Sequence, residues 1–568
     1  MSLKVPQLLL LSYFFIISCM PSVSQTIDAG KYIQEKDATP GIIEAVRLCR
    51  QKKASKLSIP KGTYNFYPDY AIEKCVYISN NDGGIKRIAF DLSDMSNFEI
   101  DGNDSRFIFH GFISPFLLEN TRNVILKNLS IDYARTFHSE GKILAAYGDS
   151  IDVRFSPEYP YKIDHSVLTF IDERKNEYPW MSLLEFDPVK RETAYKAVDY
   201  WCGPHVRVKE LYKGVIRIYY PGVRATVGNI MVFGAAHRLV PAFILSGCSN
   251  ISFSDIDIYH CGGMGIVAQM SRDISIDHVN VTPAPQSERV VSLTADATHF
   301  ANCSGYIRIT DCLFENQKDD ATNIHGLYAQ IDSVLSGKEL LVKLVHAQQY
   351  GVRFIVPNQK IEFVDAQSLE TYTQNEVKTV EYINKEYMKV TVKQPLPKEV
   401  KLKDGIASIT DQPDVFISNC RMRGNRARGF LLGSRGKIVI ENNYFHIPGA
   451  AILFEGDCRY WFEQAGVRNI TIRKNTFDNC FYGTWGNAVI QVASGIEPNK
   501  RSRSRYNRNL QITENTFRTF CPQILNLYSV DGLVFKQNKI EETYEYPCPD
   551  KGGKRYDIQD SSNISIIE

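Results

Sequence analysis

The chain has 568 residues, is 44% hydrophobic and 23% charged, and carries a formal net charge of +2. This is enough for one large domain with insertions or for several average ones, with an ordinary core. The charge balance gives no reason to expect nucleic acid or an anionic membrane surface as the main partner.

Residues 1–24 read as a secretory leader. Lys4 is followed by an apolar run from Leu8 to Ile17 and then by small residues, too short a stretch for a spanning helix. Two ends fit: Ser22-Val23-Ser24 suits ordinary cleavage, and Ile16-Ile17-Ser18-Cys19 resembles a bacterial lipobox that would leave a lipidated Cys19. The mature chain is therefore expected to be exported, either periplasmic or secreted, or held at a membrane only through that anchor.

Residues 25–139 open with DATPGIIEAVRLCRQKKASKLSIPKGTY (37–64), a capped amphipathic helix and then a strand ending in a Pro-Lys-Gly turn. Residues 140–238 carry alternating patterns such as KILAAYGDSIDVRF, and residues 327–412 carry others such as EYMKVTVKQPLPKEV. Both read as antiparallel β insertions, barrel-like and projecting from the rest. Insertions on one side of a repeat array often wall a binding site.

Between and after them the chain repeats itself. KIVIENNYFHI (437–447), NITIRKNTFDN (469–479), NLQITENTFRT (509–519) and GLVFKQNKIEE (532–542) share alternating apolar residues, then Asn, one residue and a bulky apolar residue. The bulky positions Phe445, Phe477, Phe517 and Ile540 are 32, 40 and 23 residues apart, and Asn443, Asn475, Asn515 and Asn538 precede them by two. The phrase also occurs upstream, in NVILKNLSI, NISFSDIDI, DISIDHVNV, YIRITDCLF and DVFISNCRM. A strand-rich repeat near 23 residues with loops of variable length predicts a right-handed parallel β-helix, with coils at 239–326 and 413–568 in addition to the first ones. Cys312 and Cys420 share a repeat position, as do Cys248 and Cys303, so the cysteines read as stacked interior thiols. Asn128-Leu-Ser, Asn250-Ile-Ser and Asn469-Ile-Thr read as repeat grammar, and the basic run NKRSRSRYNR (499–508) as a solvated loop.

One stretch resists a purely structural account. ENQKDDATNIHG (315–326) sets Asp319 beside Asp320, and SLTADATHF places Asp296 23 residues before Asp319, about one coil earlier. Three carboxylates converging on adjacent coils push their pKa values apart, and cleavage of a glycosidic bond needs one protonated and one ionised carboxyl. Next to them, His325 is a candidate for sugar hydroxyls or for a turn. Arg426 and Arg428 are candidates to neighbour the aspartates from the following coil, and Glu455 from the one after that. Trp485 and Trp461 could each stack on a sugar ring. His260 and Cys261 have no second cluster at ligand spacing, so no metal site and no cofactor is expected.

The helix and first strand resemble the N-terminal cap of the pectate-lyase-like β-helix superfamily. The Asp and Asp-Asp pattern resembles glycoside hydrolase family 28, but no Gly-His-Gly or Arg-x-Lys follows; RGFLLGSRGK (428–437) stands there instead. Over the whole mature chain the sequence is more similar to glycoside hydrolase family 110, the exported bacterial α-1,3-galactosidases acting on blood-group-B-type and related glycans. That resemblance implies a terminal α-galactoside as substrate, inversion without a metal, Asp319 as general acid, and Asp296 with Asp320 as joint base. A polygalacturonase-like glycosidase and a non-catalytic calcium- or polysaccharide-binding solenoid are the alternatives. Nothing in the sequence sets an oligomeric state.

Overall fold

The computed structural model describes residues 25–203 and 206–568. The leader, with both cleavage sites and Cys19, lies outside the described residues. Helix α1 (Thr39–Lys52) begins where Asp37 Oδ1 accepts the Thr39 amide at 2.9 Å, and Pro40 occupies its first turn. Ile42, Ala45, Val46 and Cys49 form its buried stripe, which closes the end of the solenoid against the first strands.

The repeat phrase builds the solenoid coil by coil. Parallel pairing places Ile251 and Phe253 between Val124 and Leu126 on one side and Ile274 and Ile276 on the other. The bulky positions form one interior column, Phe314–Met422–Phe445–Phe477–Phe517–Ile540. Its central rings stack with centroids 4.9 and 4.8 Å apart, as coils at strand spacing require. The asparagines form a buried ladder, in which the Nδ2 groups of Asn443, Asn475 and Asn515 each donate to the next Oδ1 at 3.0 Å.

Both insertions are antiparallel, but they close differently. Residues 327–412 form a six-stranded ring with the extended strand Thr322–Ser336, each strand hydrogen-bonded to two neighbours. The first insertion is a curled sheet from Ser139–Ala146 to Ile230–Ala235, with a separate three-stranded sheet packed on it. Phe155, Phe170, Trp180 and Phe233 fill the space between these two sheets, edge to face.

Two expectations need correction. Cys521 and Cys548 form a disulfide; both lie at the C-terminal end, off the thiol columns, and the aligned Cys312, Cys420, Cys248 and Cys303 are buried and free as predicted. The basic run is not merely solvated: Arg505 and Ser504 bond to Glu370 and so tie the second insertion to the coils.

Candidate active site

One face of the solenoid carries a second interior column, in which Thr298, Thr322 and Phe430 pair in register on successive coils. Asp296, Asp320 and Arg428 each stand two residues before a member of it. The three side chains therefore form a ladder at one corner of the coil. The register here is 24 residues (322 − 298), so Asp320, and not Asp319, lies over Asp296. The Asp320 amide donates to Asp296 Oδ1 at 3.3 Å. Asp319 sits one place earlier, turned towards the walls, and Asn425 donates to its carbonyl at 3.0 Å. All three carboxylates are buried, with oxygens within 4.8 Å of one another.

Arginines meet this charge. Arg428 grips Asp320 with two donors, Nε at 2.7 and Nη2 at 3.1 Å. Asp319 receives Arg238 at 2.6 Å, Arg426 at 3.1 Å and Arg428 at 3.5 Å. Arg426 is itself fixed by Asp199, at 2.7 Å. Burial alone would raise Asp319, but Arg426, Arg238 and Arg428 together hold it below the ordinary carboxylate range. Burial, with Asp319 adding to it, pushes Asp296 up to about 8. Burial raises Asp320 to about 8 as well, against the pull of Arg428. The two-donor grip favours charge on Asp320 and leaves Asp296 as the better proton holder. The resemblance gives proton donation to Asp319, and its three arginines favour the ionised form.

The pocket above the trio is lined by Asn80, Arg238, Asn323, Glu455, Asp457, Trp461 and Glu463. Burial pushes Glu455 up to about 7 despite Arg428 nearby. An adjoining pocket shares Arg238, Asp319 and Trp461 and adds Asp199, Trp201 and Lys318. Burial brings the Lys318 ammonium down to about 8, with Asp199 opposing that fall. Among the described residues, the roomier clefts, beside Tyr77 and Tyr387 and around the C-terminal disulfide, carry no comparable cluster of buried carboxylates. Asp319 and Asp320 are already engaged by arginines and Asp296 by His299, which disfavours a calcium site among them.

The structure brings Arg426, Arg428 and Glu455 to the trio, and removes two other candidates from the pocket. His325 is buried behind Asp296, its Nε2 at 2.9 Å from His299 Nε2 and its Nδ1 on the Gly326 carbonyl. Trp485 donates its indole N–H to Asp199 at 2.8 Å and packs beside Arg426; Trp461 is the aromatic wall. His260 is a structural residue, bonded to the Phe137 amide and near the Ser292 carbonyl. Sequence reasoning missed Arg238 and Asp199, which arrive from the aperiodic first insertion, and Glu463, which a short antiparallel strand sets beside Gly326 and Leu327. His299, three residues after Asp296 in SLTADATHF, meets it at 2.7 Å.

Comparison with known proteins places the fold and its insertions. The family models GLAA-B beta-barrel domain I and GLAA-B beta-barrel domain II match residues 139–231 and 339–406, and a right-handed beta helix region matches 403–562. The chain is 36% identical to alpha-1,3-galactosidase A of Shewanella woodyi, over 93% of this chain and 87% of that protein. It is 32% identical to alpha-1,3-galactosidase B of Bacteroides thetaiotaomicron, over 93% and 89%. Among solved structures, the family 28 exopolygalacturonase of Yersinia enterocolitica covers 96% of this chain and is itself covered over 79%, at 11% identity and a TM-score of 0.41. A likeness that distant says nothing about chemistry. With the GLAA-B barrels, the β-helix and the full-length relatives in hand, the chain belongs to the family of bacterial alpha-1,3-galactosidases, glycoside hydrolase family 110.

Proposed function

We propose that this protein is an exo-acting α-galactosidase that hydrolyses terminal α-1,3-linked galactose from blood-group-B-type branched glycans, with linear Galα1-3Gal as a second candidate substrate. The observation that carries the reading is the trio Asp296, Asp319 and Asp320 at the floor of a polar pocket with an aromatic wall, in a chain whose full-length relatives bear that name. The family resemblance gives Asp319 as the proton donor and Asp296 with Asp320 as the joint base, and the arginines that favour charge on Asp319 are the contacts a bound galactoside would have to loosen. Inversion rests on the family. The oxygens of the trio lie closer together than the ~6.5–9.5 Å between acid and base that leaves room for water in inverting enzymes.

Arg238 and Asp199 come from the first insertion, and Glu463 from a short strand paired with the strand that opens the second. The insertions are the elements placed to choose between branched and linear acceptors. Export follows from the leader at 1–24, and the mass of the mature N-terminus separates ordinary cleavage from a lipidated Cys19. The test of function is galactose release from a B-type trisaccharide and from linear Galα1-3Gal with a chelator present. Release from either supports the reading, and its absence from both overturns it.

A further inference from the structure

The pocket wall that carries Asp199 and Trp201 is moored from outside the insertion it belongs to. Residues 192–201 run from the first insertion to the pocket, where Asp199 Oδ2 accepts Arg426 Nε at 2.7 Å and the Trp485 indole at 2.8 Å. Arg426 in turn donates to Asp319 at 3.1 Å. On its inner side the wall packs Ala194 and Ala197 with Phe186, Val232 and Val290. On its outer side it meets residues 543–548, a strap that follows the repeat phrase at 532–542.

The contacts of the strap are specific. The Tyr546 ring stacks on Tyr195 and on Tyr482, with centroids 5.4 and 4.9 Å apart and both interplanar angles 10°. Its hydroxyl donates to Glu192 Oε1 at 2.5 Å, and Glu192 Oε2 meets His446 Nε2 at 2.9 Å. Tyr195 donates to the Pro547 carbonyl at 2.5 Å, and Lys190 meets Glu545 at 2.6 Å. Tyr546 is buried, although Tyr544, Glu545 and Pro547 beside it are exposed. A segment with so little core of its own opens easily unless it is anchored. Cys548 supplies the anchor through its disulfide to Cys521, just past the strand Thr516–Thr519. The coils have their own restraints in the asparagine ladder and the stacked rings. What the disulfide restrains is the strap, and what the strap touches is the wall.

We propose that Tyr546 and the Cys521–Cys548 disulfide are positioning elements of the catalytic pocket, which act through Glu192 and Tyr195 to hold the wall where Asp199 meets Arg426. The idea rests on the trio being the catalytic group. With the wall in place, the Arg426 guanidinium is shared between Asp199 and Asp319, so the wall sets its hold on Asp319. With the wall displaced, Arg426 keeps Asp319 alone, and the side of the pocket that carries Trp201 opens.

Two measurements on the full chain test this. Hydrogen exchange read by mass spectrometry compares the wild type with Cys521→Ser/Cys548→Ser and needs no turnover. The Thr193 and Lys196 amides donate to the Gly424 and Tyr482 carbonyls, and so report whether the wall is seated. Their peptide should exchange about tenfold faster in the variant, while the coil at 469–479 stays protected. Unchanged exchange in 192–201, or a loss spread evenly through the coils, overturns the proposal. The second measurement is kcat/KM of Tyr546→Ala on whichever of the B-type trisaccharide and linear Galα1-3Gal the wild type cleaves. Misplacing a group by about 1 Å can cost about 10²-fold, so a loss of about 10- to 10²-fold is expected. In an Asp199→Ala background the same substitution should cost less than about twofold, because the contact it positions is already gone. No loss in the wild-type background, or equal losses in both, marks a merely structural tyrosine and overturns it. Should the wild type release no galactose, the hydrolase reading fails, while the exchange result still judges the clamp.

Discussion

At the scale of single residues, the site is a set of carboxylates sorted by what each touches. Asp319 sees three guanidinium groups, Asp320 one held by two donors, and Asp296 an imidazole. This sorting predicts a split among variants. An aryl galactoside with a dinitrophenolate leaving group needs no proton donor, so loss of the donor is masked on it. Asp319→Asn should lower kcat/KM on the B-type trisaccharide by about 10²–10⁴, the usual range for proton transfer, and far less on the aryl substrate. Asp296→Asn should lower both alike. The opposite pattern would move the donor role to Asp296.

The trio and its two arginines were legible at this scale because they sit on the repeat, where spacing becomes stacking. The count of 23 residues named the wrong partner for Asp296, since the coil corner here is 24 residues long. Arg238 and Asp199 were not legible, because an insertion follows no period. Histidine and tryptophan side chains gave no sign of which way they point, and so His325 and Trp485 were placed in a pocket they do not line.

At the scale of elements, the coils are held by ladders that a one-residue shift would break. Asn475 donates to Asn515 and to the Ile440 carbonyl, while its own Oδ1 accepts from Asn443. Removing it leaves buried partners unsatisfied, at about 1–3 kcal/mol for each such group. Phe477 stacks between Phe445 and Phe517, and Phe477→Ala should cost about 3–5 kcal/mol. Chemical denaturation of both variants checks this, and a midpoint unchanged from wild type would contradict the ladder account. The β-helix was legible because its grammar repeats many times. The sequence did not show that one insertion closes as a ring and the other stays a curled sheet, because closure depends on which strands pair and alternation alone does not say.

At the scale of the whole molecule, the buried acids make stability depend on pH. Asp296 and Asp320 rise from an ordinary value of 3.8 to about 8, and Glu455 from 4.5 to about 7. A raised carboxyl binds its proton more tightly in the folded state, so its contribution is full at low pH and is lost as pH rises towards 8. Asp319 has the opposite sign and contributes only above its ordinary range. Thermal midpoints should therefore fall between pH 6 and 8.5, and Asp296→Asn should flatten that fall. An unchanged slope in the variant would mean that Asp296 is already ionised in the folded protein.

The account stands on one reaction, and proton NMR of a B-type trisaccharide and of linear Galα1-3Gal during turnover reads it most directly. It predicts free galactose appearing first as the β-anomer with wild type and none with Asp319→Asn. No galactose from either glycan with the wild type, or unchanged release by the variant, would contradict the assignment of this site; galactose appearing first as the α-anomer would contradict inversion.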